Sequence, residues 1–144
     1  MRFPSFHGRR RVFKITYKDL RTDTFRQAVG KLAMCPEYKD VKVAYRIGRL
    51  VQDVEKALKK SQREWLELAD PLLEKDDKGN FKLDPKEGFT FKDGVDKAKA
   101  EESIEVFTEK EAVLDHPRIK LADVAPAKLN PFELVALADV LQDG

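Results

Sequence analysis

A chain that spaces Val43, Ile47, Leu50, Val51, Val54, Leu58, Trp65, Leu68 and Leu72 at steps of three and four has few ways to fold. That spacing puts the apolar side chains on one face of a helix and leaves Lys, Arg, Gln and Glu to cover the other. From about Lys42 to Ala69 such a helix is roughly 42 Å long, at ~1.5 Å of rise per residue. A shorter helical segment precedes it, with Phe25, Ala28, Val29 and Leu32 at i, i+3, i+4 and i+7. Asp19 or Thr22 serves as its N-cap, and Pro36 stops it after Cys35. The short connection from Pro36 to Val41 favours antiparallel packing, a helical hairpin. The first helix spans only about 15 residues, so the stripe beyond Leu58 must find other cover. Pro71 removes a hydrogen bond and clashes with the preceding turn. An end or kink near Asp70 follows, with Leu72 and Leu73 in a short further turn.

Elsewhere the period changes. Phe13, Ile15 and Tyr17 alternate with Lys14, Thr16 and Lys18, the period of two expected of a half-buried strand. Lys75–Asn80 is a turn cluster leading into Phe81–Leu83, a short hairpin strand. Phe89 and Phe91, between Pro85 and Gly94, tuck back onto the core. A third helix is expected over Asp93–Thr108, rich in glutamate. Val113 and Leu114, then Ile119 and Leu121, read as short strands that partner the Phe13–Tyr17 strand, because an isolated strand is unstable. The last helix is the best capped: Asn130 at N-cap, Pro131 at N1 and Glu133 at N3, then Leu134, Val135, Leu137, Ala138 and Leu141. The fold class is therefore mainly α (α+β): a long helical hairpin with a small antiparallel β-sheet and a short C-terminal helix. Residues 1–11 form a basic N-terminal arm, and residues 12–144 a single domain.

Composition narrows the setting. At 144 residues the chain suits one core, and its 38% charged fraction belongs to exposed helices in water. No apolar run approaches the ~18 residues of a membrane span. The start, MRFPSFHGRRR, has no apolar stretch or small-residue cleavage site after it, so it makes a poor signal peptide. Cys35 is the single cysteine, which excludes an internal disulfide framework and fits a reducing cytosol. The net charge of +2 is unevenly spread. Residues 1–52 carry 13 Lys/Arg against 4 Asp/Glu (+9), residues 53–111 carry 12 against 17 (−5), and residues 112–144 carry 3 against 5 (−2). Such separation can hold two chains head to tail, or lay a basic arm on phosphate or an acidic partner.

Site chemistry is sparse. His7 and His116 are far apart, Cys35 is alone, and no CxxC, HxxxH or HExxH spacing exists to hold a metal. Aligning Gly79 with position six of a calcium loop puts Lys78 at five and Pro85 at twelve, where a Glu is needed. The stretch is a turn. No nucleophile motif and no glycine-rich nucleotide loop is present, so no catalytic, cofactor or metal residues are assigned. Two binding readings remain. Leu58, Trp65, Leu68 and Leu72 lie where the long helix outruns its neighbour, and a large aromatic there suits self-association or a protein partner. Alternatively, Arg9, Arg10, Arg11, Lys14 and Lys18, with Phe3, Phe6 and Phe13 interleaved, combine phosphate-seeking charge with stacking groups for nucleic acid.

The order of these segments resembles a family of small uncharacterised proteins of tailed bacteriophages and prophages. The resemblance is carried by "ITYKDL", then "VKVAYRIGRLVQDVEKAL" entering the long helix, the "KDDKGNFKL" turn, and "RIKLADV" with "LNPFELVALADVL" closing the chain. It covers about Lys14 to Leu141. It implies a phage accessory or virion-associated role; with no catalytic motif in the chain, the expectation is a non-enzymatic protein of the host cytoplasm or the virion, acting through protein–protein contacts in assembly or host-factor binding. It implies no site residues. Residues 1–11 precede the family's usual start, and are either a specific arm or upstream of initiation at Val12.

Overall fold

The computed structural model describes residues 12–116 and 118–142, so the basic arm with Arg9, Arg10 and Arg11 lies outside the described residues. The fold is α+β. Strand β1 (Val12–Thr16) leads into a single turn, α1 (Tyr17–Leu20), and then α2 (Asp23–Met34). Two caps set two helices where the sequence pattern gives one, and the first turn takes Tyr17 and Lys18 from the end of the expected strand. The Thr16 hydroxyl accepts from the Asp19 N–H, and the Thr22 hydroxyl from the Phe25 N–H. Helix α3 (Val41–Ala69) begins at Asp40, whose carboxylate accepts from the Val43 N–H.

The long helix ends at Ala69, as Pro71 requires, and the amides of Leu72 and Leu73 both close back on the Ala69 carbonyl. Leu73 enters the core and bridges to Phe91, while Lys75 bridges to Phe81. These bridges extend a small hairpin, β2 (Leu83–Asp84) with β3 (Gly88–Phe89). The Asp76 carboxylate accepts from the Lys78 and Asn80 N–H groups, and Gly79 takes φ +85°. Such a side-chain-closed turn is how Asx residues reverse a chain.

Helix α4 (Lys97–Glu109) starts later than the sequence pattern suggests, because Asp96, following Gly94 at φ +83°, is the residue that caps it. Strand β4 (Glu111–Asp115) then pairs antiparallel with β1, Phe13 opposite Leu114 and Ile15 opposite Ala112. Phe13 and Ile15 point into the core, as their alternation demands, and Tyr17, the first residue of α1, is buried beside them.

Two expectations for the C-terminal part are corrected. Ile119 does not join β1. Instead β5 (Ile119–Lys120) pairs parallel with the final strand β6 (Leu141–Gln142), and Leu121 opens a 3-10 segment (Leu121–Ala127). The last helix, α5 (Pro131–Ala136), is also shorter than its apolar run. The parallel pairing draws Leu141 out of helical register and onto Ile119.

Helices α2 and α3 each carry an exposed glycine where an added Cβ meets nothing within 4 Å, Gly30 and Gly48. Alanine at each should stabilise by about 0.8–1 kcal/mol, since Gly is the costliest helix residue after Pro. Urea unfolding of the double variant should show roughly the sum of the two gains.

Candidate binding surface

The far half of α3 is covered by its own chain. Trp65, only 8% exposed, sits among Phe89 (5.5 Å between ring centroids), Phe107 (5.7 Å) and Phe81 (6.2 Å). The Arg21 guanidinium lies 5.5 Å from the Trp65 ring, and Phe107 also packs edge-on against Tyr17. Leu58, Leu68 and Leu72 are half-buried against the same core. The premise for a partner at this end is therefore corrected: the hairpin after Leu73 and helix α4 supply the cover that the stripe demands. Beside this cluster the Tyr17 hydroxyl donates to Glu64 at 2.7 Å, and Lys110 pairs with the same carboxylate. Burial first, then Glu64, pushes the Tyr17 phenol up to about 12.

Of the nucleic-acid candidates, Arg9, Arg10 and Arg11 lie outside the described residues. Lys14 and Lys18 are exposed, but Phe13 is a core residue with no face free for a base. Arg21 is half-buried over Trp65 and Phe107. Among potential catalytic groups, the Ser61 hydroxyl donates to the Leu58 carbonyl of its own helix at 2.8 Å. His116 is buried, with Nε2 3.2 Å from the Asp53 carboxylate. No group of three or more His, Cys, Asp or Glu among the described residues is placed to hold a metal ion, and no helix is long and apolar enough to cross a membrane.

What sequence reasoning missed is the orientation of α5. Its one charged residue faces inward, while Phe132 and Val135 face out and Leu134 is half-buried against the core. Glu133 is 2% exposed, whereas Phe132 is 78% and Val135 75% exposed. The inversion follows from the cap. The Glu133 carboxylate accepts from the Asn130 N–H at 2.8 Å while the Asn130 side chain accepts from the Glu133 N–H at 2.8 Å. Lys31 on α2 completes the arrangement, its ammonium 2.7 Å from the same carboxylate. With Glu133 held to Lys31 on α2 and Leu137 buried, the geometry of a helix leaves Phe132 and Val135, three residues apart, on the outer side. The signal available in sequence was a helix apolar almost all round, which one and a half turns cannot bury on every face.

Lys31 first, then the Asn130 N–H, holds the Glu133 carboxyl below the ordinary carboxylate range. A depressed folded-state pKa gives stability that is present above the unfolded value, about 4.3, and lost as pH falls through the folded value. Glu133→Gln should therefore lower the thermal midpoint at pH 7. That difference should narrow as acid protonates the wild-type carboxyl, which a melting series from pH 7 down to pH ~2.5 would show.

Around Val135 lies an apolar groove of about 490 Å³, lined by Arg118, Leu121, Leu134, Val135, Ala138, Leu141 and Gln142. A second cavity of about 270 Å³ adjoins it, sharing Arg118 and Gln142 and adding Arg46, Lys120 and Asp123. Among the described residues, none of Arg46, Arg118 and Lys120 forms an ion pair. The parallel β5–β6 pair builds this junction by setting Arg118–Lys120 beside Leu141–Gln142. An apolar floor beside cations that form no ion pair among the described residues can receive an apolar side chain and a carboxylate at once.

Helix α4 presents the opposite character. Ala100 and Phe107 face the core, and Glu102, Glu105, Val106 and Glu109 share the outer face at i, i+3, i+4 and i+7. Val106 is 62% exposed. The helix is also charged against its dipole: the first turn carries Lys97 and Lys99, and the last carries Glu109 with no basic residue. Each misplaced charge costs roughly 0.3–1 kcal/mol at a helix end. No family model, curated protein or solved structure matches the chain.

Proposed function

We propose that this protein works by non-covalent contact with another protein chain, through the outer face of α5 and the groove beside it, and not by bond chemistry. The observation that carries this reading is the inverted helix: Phe132 and Val135 stand in solvent while Glu133 is buried. Large apolar side chains gathered at a groove and rimmed by charge are the usual anatomy of a recognition site. In the setting that the resemblance implies, a phage or prophage accessory protein, such contacts would serve virion assembly or capture of a host factor.

The test is capture from native or infected lysate with tagged wild type and a Phe132→Ser/Val135→Ser variant, each with and without nuclease. A protein that survives nuclease and is lost with the variant supports the reading. Recovery of nucleic acid by both forms, with no protein lost in the variant, would overturn it in favour of nucleic-acid binding.

A further inference from the structure

The groove has a complement on this same chain. Its floor is apolar, and Arg46, Arg118 and Lys120 flank it against one carboxylate, Asp123, among the described lining residues. What fits is a convex surface with one apolar side chain ringed by carboxylates. Helix α4 is such a surface, with Val106 set among Glu102, Glu105 and Glu109. None of those three glutamates forms an ion pair among the described residues. Like charges three and four residues apart repel one another, and Glu109 opposes the helix dipole. Opposed cations on a partner would relieve both penalties. A single copy cannot make the contact with itself. Arg46 lines the cationic cavity, whereas α4 packs on Trp65, nineteen residues further along α3 or about 28 Å along the helix axis.

We infer that the occupant of the groove is a second copy of this chain, its α4 face seated against α5, Arg118 and Arg46 of the first. Val106 contacts the floor near Leu121 and Val135, and the glutamates meet the cations. The two surfaces differ, so the contact is heterologous. A pair keeps one α4 face free on the first copy and one groove free on the second, so association continues into a ring or a filament. This inference rests on the α5 face being the contact surface of the protein.

Sedimentation velocity on the full chain tests it, with two neutralising variants. One is Arg118→Gln/Val135→Ser, which spoils the groove. The other is Glu102→Gln/Glu105→Gln/Glu109→Gln, which spoils the α4 face. All these positions are exposed, and circular dichroism and thermal midpoints serve as controls for folding. Wild type is expected to associate with rising concentration, and to do so less between ~50 mM and ~0.5 M salt as screening shortens the reach of the charges. Each variant alone should associate at least roughly tenfold more weakly. Mixed in equal amounts they should form a 1:1 complex that grows no further, because each supplies the surface the other lacks. Wild type that stays monomeric at high micromolar concentration in low salt would overturn the inference. So would a mixture that remains two monomers. If the lysate partner is nevertheless captured through Phe132 and Val135, only the identity of the occupant is wrong. If that capture fails as well, the α5 reading falls with it.

Discussion

Trp65→Ala is expected to remove on the order of 3–5 kcal/mol of stability, the usual cost of deleting a buried large aromatic. The loss is large because Trp65 is a junction of three elements. Phe81 and Phe89 from the hairpin and Phe107 from α4 all meet its ring, and Arg21 covers it. Removing the indole opens a cavity that neither the short hairpin nor α4 can collapse into without breaking its own bridges. In thermal terms the midpoint should fall by roughly 10–20 °C for a domain of this size. Denaturant and thermal unfolding check the effect, with exposed Val106→Ala as a comparison expected to stay within about 0.5 kcal/mol. The experiment also separates two roles for this residue. An interface anchor would lose association and keep its midpoint; a midpoint unmoved by Trp65→Ala would remove the aromatic cluster from the account of stability.

The second large effect contrasts neighbouring positions at the end of the chain. Leu137 is buried against the core and Val135 stands in solvent, two residues away. Leu137→Ala should cost about 2–5 kcal/mol, the range for a core leucine. Val135→Ser should change stability by no more than about 0.5 kcal/mol while abolishing partner capture. Equilibrium unfolding of both variants, set beside their capture of partner protein, provides the comparison. Equal destabilisation at the two positions would mean that α5 has no outer apolar face, and would sink the binding surface assigned to it.

Much of the architecture is legible one residue at a time because it rests on local interactions. The stripe from Val43, the stop imposed by Pro71, the alternation of Phe13, Ile15 and Tyr17, and the caps at Thr22 and Asn130 all involve groups within a few residues of each other. Spacing alone reports them, since helical and extended periods differ. Even the tucking of Phe89 and Phe91 follows from two aromatics in a loop too polar to shelter them otherwise.

The candidate surface was not legible in that way. Trp65 on an uncovered stretch of stripe reads as an anchor for a partner, yet chain more than a dozen residues downstream folds back to enclose it. Val135 reads as part of the apolar run of the last helix, yet Lys31, a hundred residues upstream, pairs with the inward Glu133, and Val135 stands in solvent beside Phe132. Ile119 reads as a neighbour of β1, yet its partner is Leu141.

The sequence by itself determined the main helices and the first strand, the stop of the long helix before Pro71, and how charge divides along the chain, because short-range sterics and hydrogen bonds decide these. Only the tertiary structure decided which apolar faces are covered and which stay in water. That depends on pairings between residues distant along the chain, where one buried carboxylate and its lysine outweigh the apolar pattern around them.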